Sequence, residues 1–232
     1  MQLEEFLNSL EQAEAMNGLE RFIQYLSLNR SYVWEQFLTH FLISIYGVFF
    51  AAIIAIPVGF YIAKHKKLAN WVIGLANIMQ TIPSLATISM LMLAFGLGAR
   101  TVILTVFLYS LLPIIKNTYA GVRNVDRTLI DAARGMGMTN TQLIFKIELP
   151  LASSVIMAGI RNALVLAIGV TAIGTFIGAG GLGDLIQRGV NATDGGPIIL
   201  AGAIPTALMA IILDATLGIL EKRLDPSAKG SK

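Results

Sequence analysis

The sequence predicts an all-α integral membrane protein of about five transmembrane helices with one helical loop outside the bilayer, and three observations carry that prediction. Of 232 residues, 55% are hydrophobic and 13% charged, whereas a soluble domain carries about a quarter charged residues. The apolar residues fall in five blocks, at about 38–63, 70–96, 100–116, 151–178 and 197–220, each within or near the roughly 20 residues that cross a hydrocarbon core. The breaks between blocks hold the charges: Lys64, His65, Lys66 and Lys67, then Arg100, a polar stretch from Lys116 to Glu148, a glycine-rich loop, and a tail from Glu221. Such a chain takes membrane lipids as its solvent. One membrane domain over 38–224 is expected, preceded by a segment over 1–37 and followed by a short cytoplasmic tail over 225–232.

The first segment sets six glutamates, Glu4, Glu5, Glu11, Glu14, Glu20 and Glu35, against Arg21 and Arg30. Leu3, Phe6, Leu7 and Leu10 fall at i, i+3, i+4 and i+7, and Leu19, Phe22, Ile23 and Leu26 repeat that spacing, which describes amphipathic helices. They either pack on their own protein or lie on lipid headgroups, to which an acidic face is poorly suited. There is neither a basic n-region nor a small-residue cleavage site, so this is not read as a cleaved signal peptide.

Orientation follows from the basic residues. With the N-terminus outside, the inner segments hold Lys64, Lys66, Lys67, Lys116, Arg123, Arg127, Arg134, Lys146, Lys222, Arg223, Lys229 and Lys232, and the outer ones Arg21, Arg30, Arg100 and Arg188. Twelve against four, with Arg161 inside a span, fits the excess of basic residues in cytoplasmic loops and predicts N-out, C-in.

Within the second span, "NIMQTIPSL" places Asn77, Gln80, Thr81 and Pro83 where lipid would otherwise be. Pro83 removes a helical hydrogen bond and the amides need partners, so a break or kink is expected. These residues either line or gate a solute path or mark a kink satisfied by neighbouring helices; both readings turn Gln80 inward. Arg161 and Asp214 are the ionisable residues deepest in the spans, near the cytoplasmic end. A charge there is costly, so they either pair inside the bundle or snorkel to the interface.

The loop "NTYAGVRNVDRTLIDAARGMGMTNTQLIFKIELP" is helical in pattern, with Leu129, Ala132, Ala133 and Met136 on one face. Gly135 and Gly137, followed by Thr139 and Asn140, read as a helix end and a new N-cap, and Pro150 as entry to the next span. By pattern alone this is a surface helical hairpin.

The stretch "DAARGMGMTNTQLIFKIELP" resembles the EAA loop of ABC-importer permeases: Glu-Ala-Ala, three residues, Gly, nine residues, Ile, any residue, Leu-Pro. Asp131, Ala132, Ala133, Gly137, Ile147, Leu149 and Pro150 occupy its positions, with Asp in place of Glu at the first. A wider resemblance, over about 32–224, is to permeases of Opu-type osmoprotectant importers for glycine betaine, carnitine or choline. It runs through "QTIPSLA", "LYSLLPIIKNTY", "ELPLASSVIMAGIRNAL" and "AIGTFIGAGGLGDLIQRGVNATDGGPIILAGAIPTALMA". The resemblance implies a type I ABC-importer permease fold whose loop, with Gly135 beside the motif glycine, forms a coupling helix in a groove of a cytoplasmic ATPase. It also implies two ATPase subunits that bind ATP and Mg, a second permease subunit, identical or paralogous, and an external lipid-anchored solute-binding protein. Transport would proceed by alternating access. An importer for another small solute, such as an amino acid, shares the coupling motif; a secondary transporter would show inverted repeats, and none is seen.

Other chemistries are excluded. There are no cysteines, hence no disulfide, thiolate metal site or Cys nucleophile. No Walker A motif occurs, and His40 and His65 offer neither a metal cluster nor a triad; both are expected at membrane interfaces. No catalytic residue, metal or cofactor is assigned to this chain. "GAGGLG" over 178–183 satisfies GxGxxG but follows an apolar helix without a βαβ unit, so its glycines are read as allowing close packing and a tight external turn. The net charge of +3 does not imply nucleic acid. Asn191-Ala192-Thr193 is taken as a chance glycosylation sequon.

Overall fold

The computed structural model describes residues 17–224, so the face formed by Leu3, Phe6, Leu7 and Leu10 and the tail over 225–232 lie outside the described residues. Among the described residues the order is α1 Gly18–Leu28, α2 Arg30–Ala63, α3 Lys66–Thr81, α4 Ser84–Phe95, α5 Ala99–Arg123, α6 Arg127–Gly135, α7 Asn140–Leu143, α8 Leu149–Ile173, α9 Leu182–Val190 and α10 Gly196–Leu224. A π-helical turn, Ile144–Glu148, leads into α8, and a 3₁₀ turn, Gly174–Ile177, ends it. No strand occurs among the described residues.

Four elements are long and apolar enough to cross a membrane: α2, α5, α8 with the turns at its ends, and α10. The pair α3 and α4, bent by 96°, makes a fifth if counted as one broken span. The break falls where Pro83 lacks an N–H and holds Ile82 in an extended conformation (ψ 128°).

The centre of the bundle is α2, α5 and α8, drawn together by small residues. A Cβ on Gly47 of α2 would lie 2.3 Å from Val106 of α5, and one on Gly159 of α8 would lie 2.7 Å from Asn117 of α5. Helices in lipid gain no hydrophobic drive from meeting one another, so such close approach, with the dispersion contacts it allows, holds them. Several buried hydroxyls find partners inside this layer: Ser44 Oγ and Thr171 Oγ1 are 2.9 Å apart, and Thr105 Oγ1 donates to the Thr101 carbonyl at 2.9 Å.

Three differences from the sequence reading have physical reasons. Helix α2 starts at Arg30 and runs without a break past residue 38, because polar residues of its first turns pack against α9 and the turn before it: the Tyr32 hydroxyl donates to Asp184, and Gln36 Oε1 accepts the Gly181 N–H at 2.7 Å. The glycine-rich loop contains α9, whose Leu182 and Leu185 are fully buried; its helical pattern is masked by the glycines at 178, 180, 181, 183 and 189. His40 is enclosed by protein, its Nε2 3.0 Å from the Ile168 carbonyl and its ring against the bare backbone of Gly181, a packing role the sequence reading did not assign.

Helix α1 packs on its own protein through one face. Phe22, Tyr25 and Leu26 join a cluster with α9 and α10, and Arg21 pairs with Asp194. Leu19, Ile23 and Leu28 remain exposed.

Candidate functional site

The hairpin that joins α5 to α8 is built from capping rules. Asp126 opens α6 by accepting the Thr128 backbone N–H at 2.8 Å, which holds its carboxyl below the usual carboxylate range. Helix α6 closes at Gly137, whose φ of +81° is the left-handed conformation that favours glycine. The N–H of Met138 then reaches the Ala133 carbonyl at 3.1 Å and the N–H of Gly137 the Arg134 carbonyl at 2.9 Å, the paired bonds of a Schellman end. Helix α7 begins at once: Thr139 Oγ1 accepts the Gln142 N–H at 3.3 Å while Gln142 Oε1 accepts the Thr139 N–H at 2.9 Å.

These caps leave α6 with two unlike faces. Ala133 is buried, and Ile130, Asp131 and Arg134 wall a cavity of about 370 Å³ between α6 and the ends of α2 and α5. Ala132 and Gly135 are exposed, and so are the bulky apolar side chains of Leu129 and Met136, the latter 73% exposed. Ile147 lies in the π-helical turn, and Leu149 and Pro150 start α8 in direct helical continuation of it, the turn falling where Pro150 cannot donate an N–H. Beside them is a residue that sequence reasoning passed over: Glu148 is buried, with Oε2 3.2 Å from Lys64 Nζ at the end of α2. A carboxylate just before the Leu-Pro that enters a span was the only signal for it.

The break between α3 and α4 is held by Tyr109 of α5, also unforeseen. Gln80 Nε2 donates to the Tyr109 carbonyl at 3.0 Å, the Tyr109 hydroxyl donates to the Ile82 carbonyl, and Thr87 Oγ1 lies 3.2 Å from that hydroxyl. Gln80 is half-buried and faces α5, and Asn77 is half-buried one turn earlier. Thr81 is exposed, its hydroxyl donating to the Ile78 carbonyl at 2.7 Å, and Pro83 is exposed at the bend. These four therefore do not converge on one point: Gln80 is engaged by α5, while Thr81 and Pro83 face outward.

Arg161 of α8 and Asp214 of α10 do meet. Arg161 Nε donates to Asp214 Oδ1 at 2.5 Å and Nη2 to Oδ2 at 3.1 Å, a two-pronged pair, while Nη1 donates to Glu221 Oε2 at 3.0 Å. Glu221 lies nearly two turns beyond Asp214 on α10 and was read only as the start of the tail. The residues the sequence singles out thus form three separate places: the α6 hairpin, the α3–α4 break, and the Arg161 cluster.

A fold of packed spans with a broken one at their side, and a helical hairpin leading into a span, matches known proteins. Residues 47–226 match the family described as binding-protein-dependent transport system inner membrane component. The chain belongs to that family. These inner-membrane components are multi-pass transport proteins, and the α6 hairpin lies wholly within the matched residues. The carnitine transport permease protein OpuCD of Listeria monocytogenes is 64% identical over 91% of this chain and 95% of its own length. The glycine betaine/carnitine/choline transport system permease protein OpuCD of Bacillus subtilis is 57% identical over 92% and 93%. Among solved structures, the inward-facing MetNI methionine ABC transporter superposes with a TM-score of 0.72, covering 83% of this chain and 96% of that one at 20% identity. At that identity the likeness shows the fold, that of a type I ABC-importer permease.

Proposed function

We propose that the chain is one of two permease subunits of an ATP-driven importer for carnitine, glycine betaine or choline. The second permease subunit is identical or paralogous. The observation that carries ATP coupling is the outer face of α6: Leu129 and Met136, exposed on a capped and otherwise well-ordered helix, form an apolar surface whose natural occupant is another protein. That occupant is a cytoplasmic ATPase seated on Ala132, Gly135 and Gly137 beside Leu129 and Met136, while buried Ala133 packs α6 on the bundle and Asp131 borders the cavity beneath; each permease takes one ATPase, and the ATPases hold ATP and Mg. The cargo is drawn from the two OpuCD relatives. An external lipid-anchored protein selects the solute, since aromatic cages suit quaternary ammonium groups. The membrane chains then need only a permissive path, with Asn77, Gln80 and Thr81 beside it.

Nucleotide-driven closure of the ATPases pushes the α6 hairpin, and the motion reaches the bundle through Glu148–Lys64 and the π-helical turn. This is a two-state element biased by ligand and nucleotide. In this reading the chain runs N-out, C-in.

The test is ATPase retention and ATP-dependent carnitine uptake by the complex in proteoliposomes, for wild type and for Leu129→Ser with Met136→Ser. Both residues are exposed, so the folded permease is unaffected, and retention and uptake fall at least about tenfold, the loss of roughly 1.4 kcal/mol of contact. Undiminished retention in the double variant would sink the coupling assignment. Uptake that needs no ATP would point to a secondary carrier, and uptake of an amino acid in place of the three solutes would change the cargo.

A further inference from the structure

Two cavities share Lys64, at the end of α2, as a wall. One is an apolar groove of about 400 Å³ between α2 and the start of α8, walled by Ile56, Phe60, Tyr61, Phe145 and Leu149 and rimmed by Lys64. The other is the cavity of about 370 Å³ under α6, and Lys64 lines it too. Its charged wall holds Lys64, Arg123, Arg127 and Arg134 against Asp131 and Glu148; Glu148 is already paired with Lys64, so the balance is cationic. Lys64 caps the last turn of a long apolar helix, the level at which a basic residue meets headgroups in a bilayer. An oily slot beside a basic basin, with Lys64 between them at headgroup level, fits one kind of molecule: a chain with an anionic head.

We infer that this composite site holds one anionic phospholipid, an acyl chain lying along Phe60 and Phe145 and the phosphate facing Lys64 and Arg123. Charge complementarity and the Lys64 side chain, which lines both cavities, carry the assignment. The occupant is a bilayer lipid and not free phosphate, because the basin alone offers no reason for the groove. The same lipid would touch the π-helical turn, since Ile144 and Phe145 both line the groove; single π turns within helices recur at functional sites. It would thereby sit between α2 and the hinge that carries the α6 hairpin.

The experiment is native mass spectrometry of the assembled complex, titrated with phosphatidylglycerol and, separately, phosphatidylcholine of the same chains. Wild type retains one phosphatidylglycerol selectively. Arg123→Gln, on an exposed side chain, lowers phosphatidylglycerol binding about fivefold, the effect of one basic residue near a headgroup, and leaves phosphatidylcholine unchanged. Phe145→Ala, also exposed, weakens both lipids alike, because it removes groove wall and no charge. Inorganic phosphate does not displace the lipid. Equal retention of the two lipids by wild type, unchanged binding in both variants, or displacement by phosphate would each overturn the inference.

Discussion

Helices α5 and α10 are of similar length, 25 and 29 residues, and have opposite surroundings. In the apolar stretch of α5, 44% of residues are buried; in that of α10, 17%. Helix α5 carries Thr101, Thr105, Ser110 and Thr118, all buried among neighbouring helices. Helix α10 exposes Leu208, Ile211, Ile212 and Ile219, and its carboxylates Asp214 and Glu221 lean on Arg161. The contrast separates a centre complete within one chain from a rim whose apolar faces are left for lipid or a second subunit. Mutations should sort the same way.

The largest effect is expected where α2 meets α5. Gly47→Leu drives a side chain into Val106 and should cost at least about 1–3 kcal/mol, visible as loss of folded protein in a thermal-stability assay by size exclusion. Gly74→Leu, with nothing within 4 Å of its Cβ position, should be close to neutral, and equal losses at both sites would erase the contrast. Next comes Glu148→Ala. It strands Lys64, which is 37% exposed, so the loss should fall below that of a fully buried pair, at about 2 kcal/mol. Adding Lys64→Ala should recover part of it in a double-mutant cycle. On the rim, reversing Arg161 or Asp214 singly should lower uptake, and the double reversal should restore part of it; independent, additive losses would mean the pair does no shared work. The smallest effect is that of Gln80→Leu, which removes one donor from the Tyr109 carbonyl and should cost about 1 kcal/mol, read as a small shift in melting temperature.

The sequence was most legible where one residue type enforces a local geometry. Pro83 announced the bend between α3 and α4, and Gly137 with Thr139 announced the end of one helix and the cap of the next. The apolar blocks located the spans to within a few residues at most ends. Long-range partners were legible only when chemistry demanded them: Arg161 inside a span called for a carboxylate, and Asp214 lay at matching depth. Glu148 and Lys64 sat at loop edges where charges need no explanation, so nothing in the sequence joined them. Tyr109 looked like one more aromatic in an apolar helix, because its hydroxyl meets the Ile82 carbonyl at a bend set by a proline 26 positions earlier. The enclosure of His40 was not legible because the partner it finds, the carbonyl of Ile168, belongs to the backbone and carries no sequence signal.

The π-helical turn at Ile144–Glu148 gives the hairpin a particular gearing. A π turn holds one residue more than the α-helix it interrupts, and one residue is roughly 100° of azimuth about the axis. The spacing from Gly137 to Pro150 therefore counts through a phase step, and the heading of α6 depends on that step being kept. Deleting a single residue within Ile144–Glu148 would let the helix close up as α, leave nearly every side chain's chemistry in place, and swing the hairpin about a quarter turn away from its bearing.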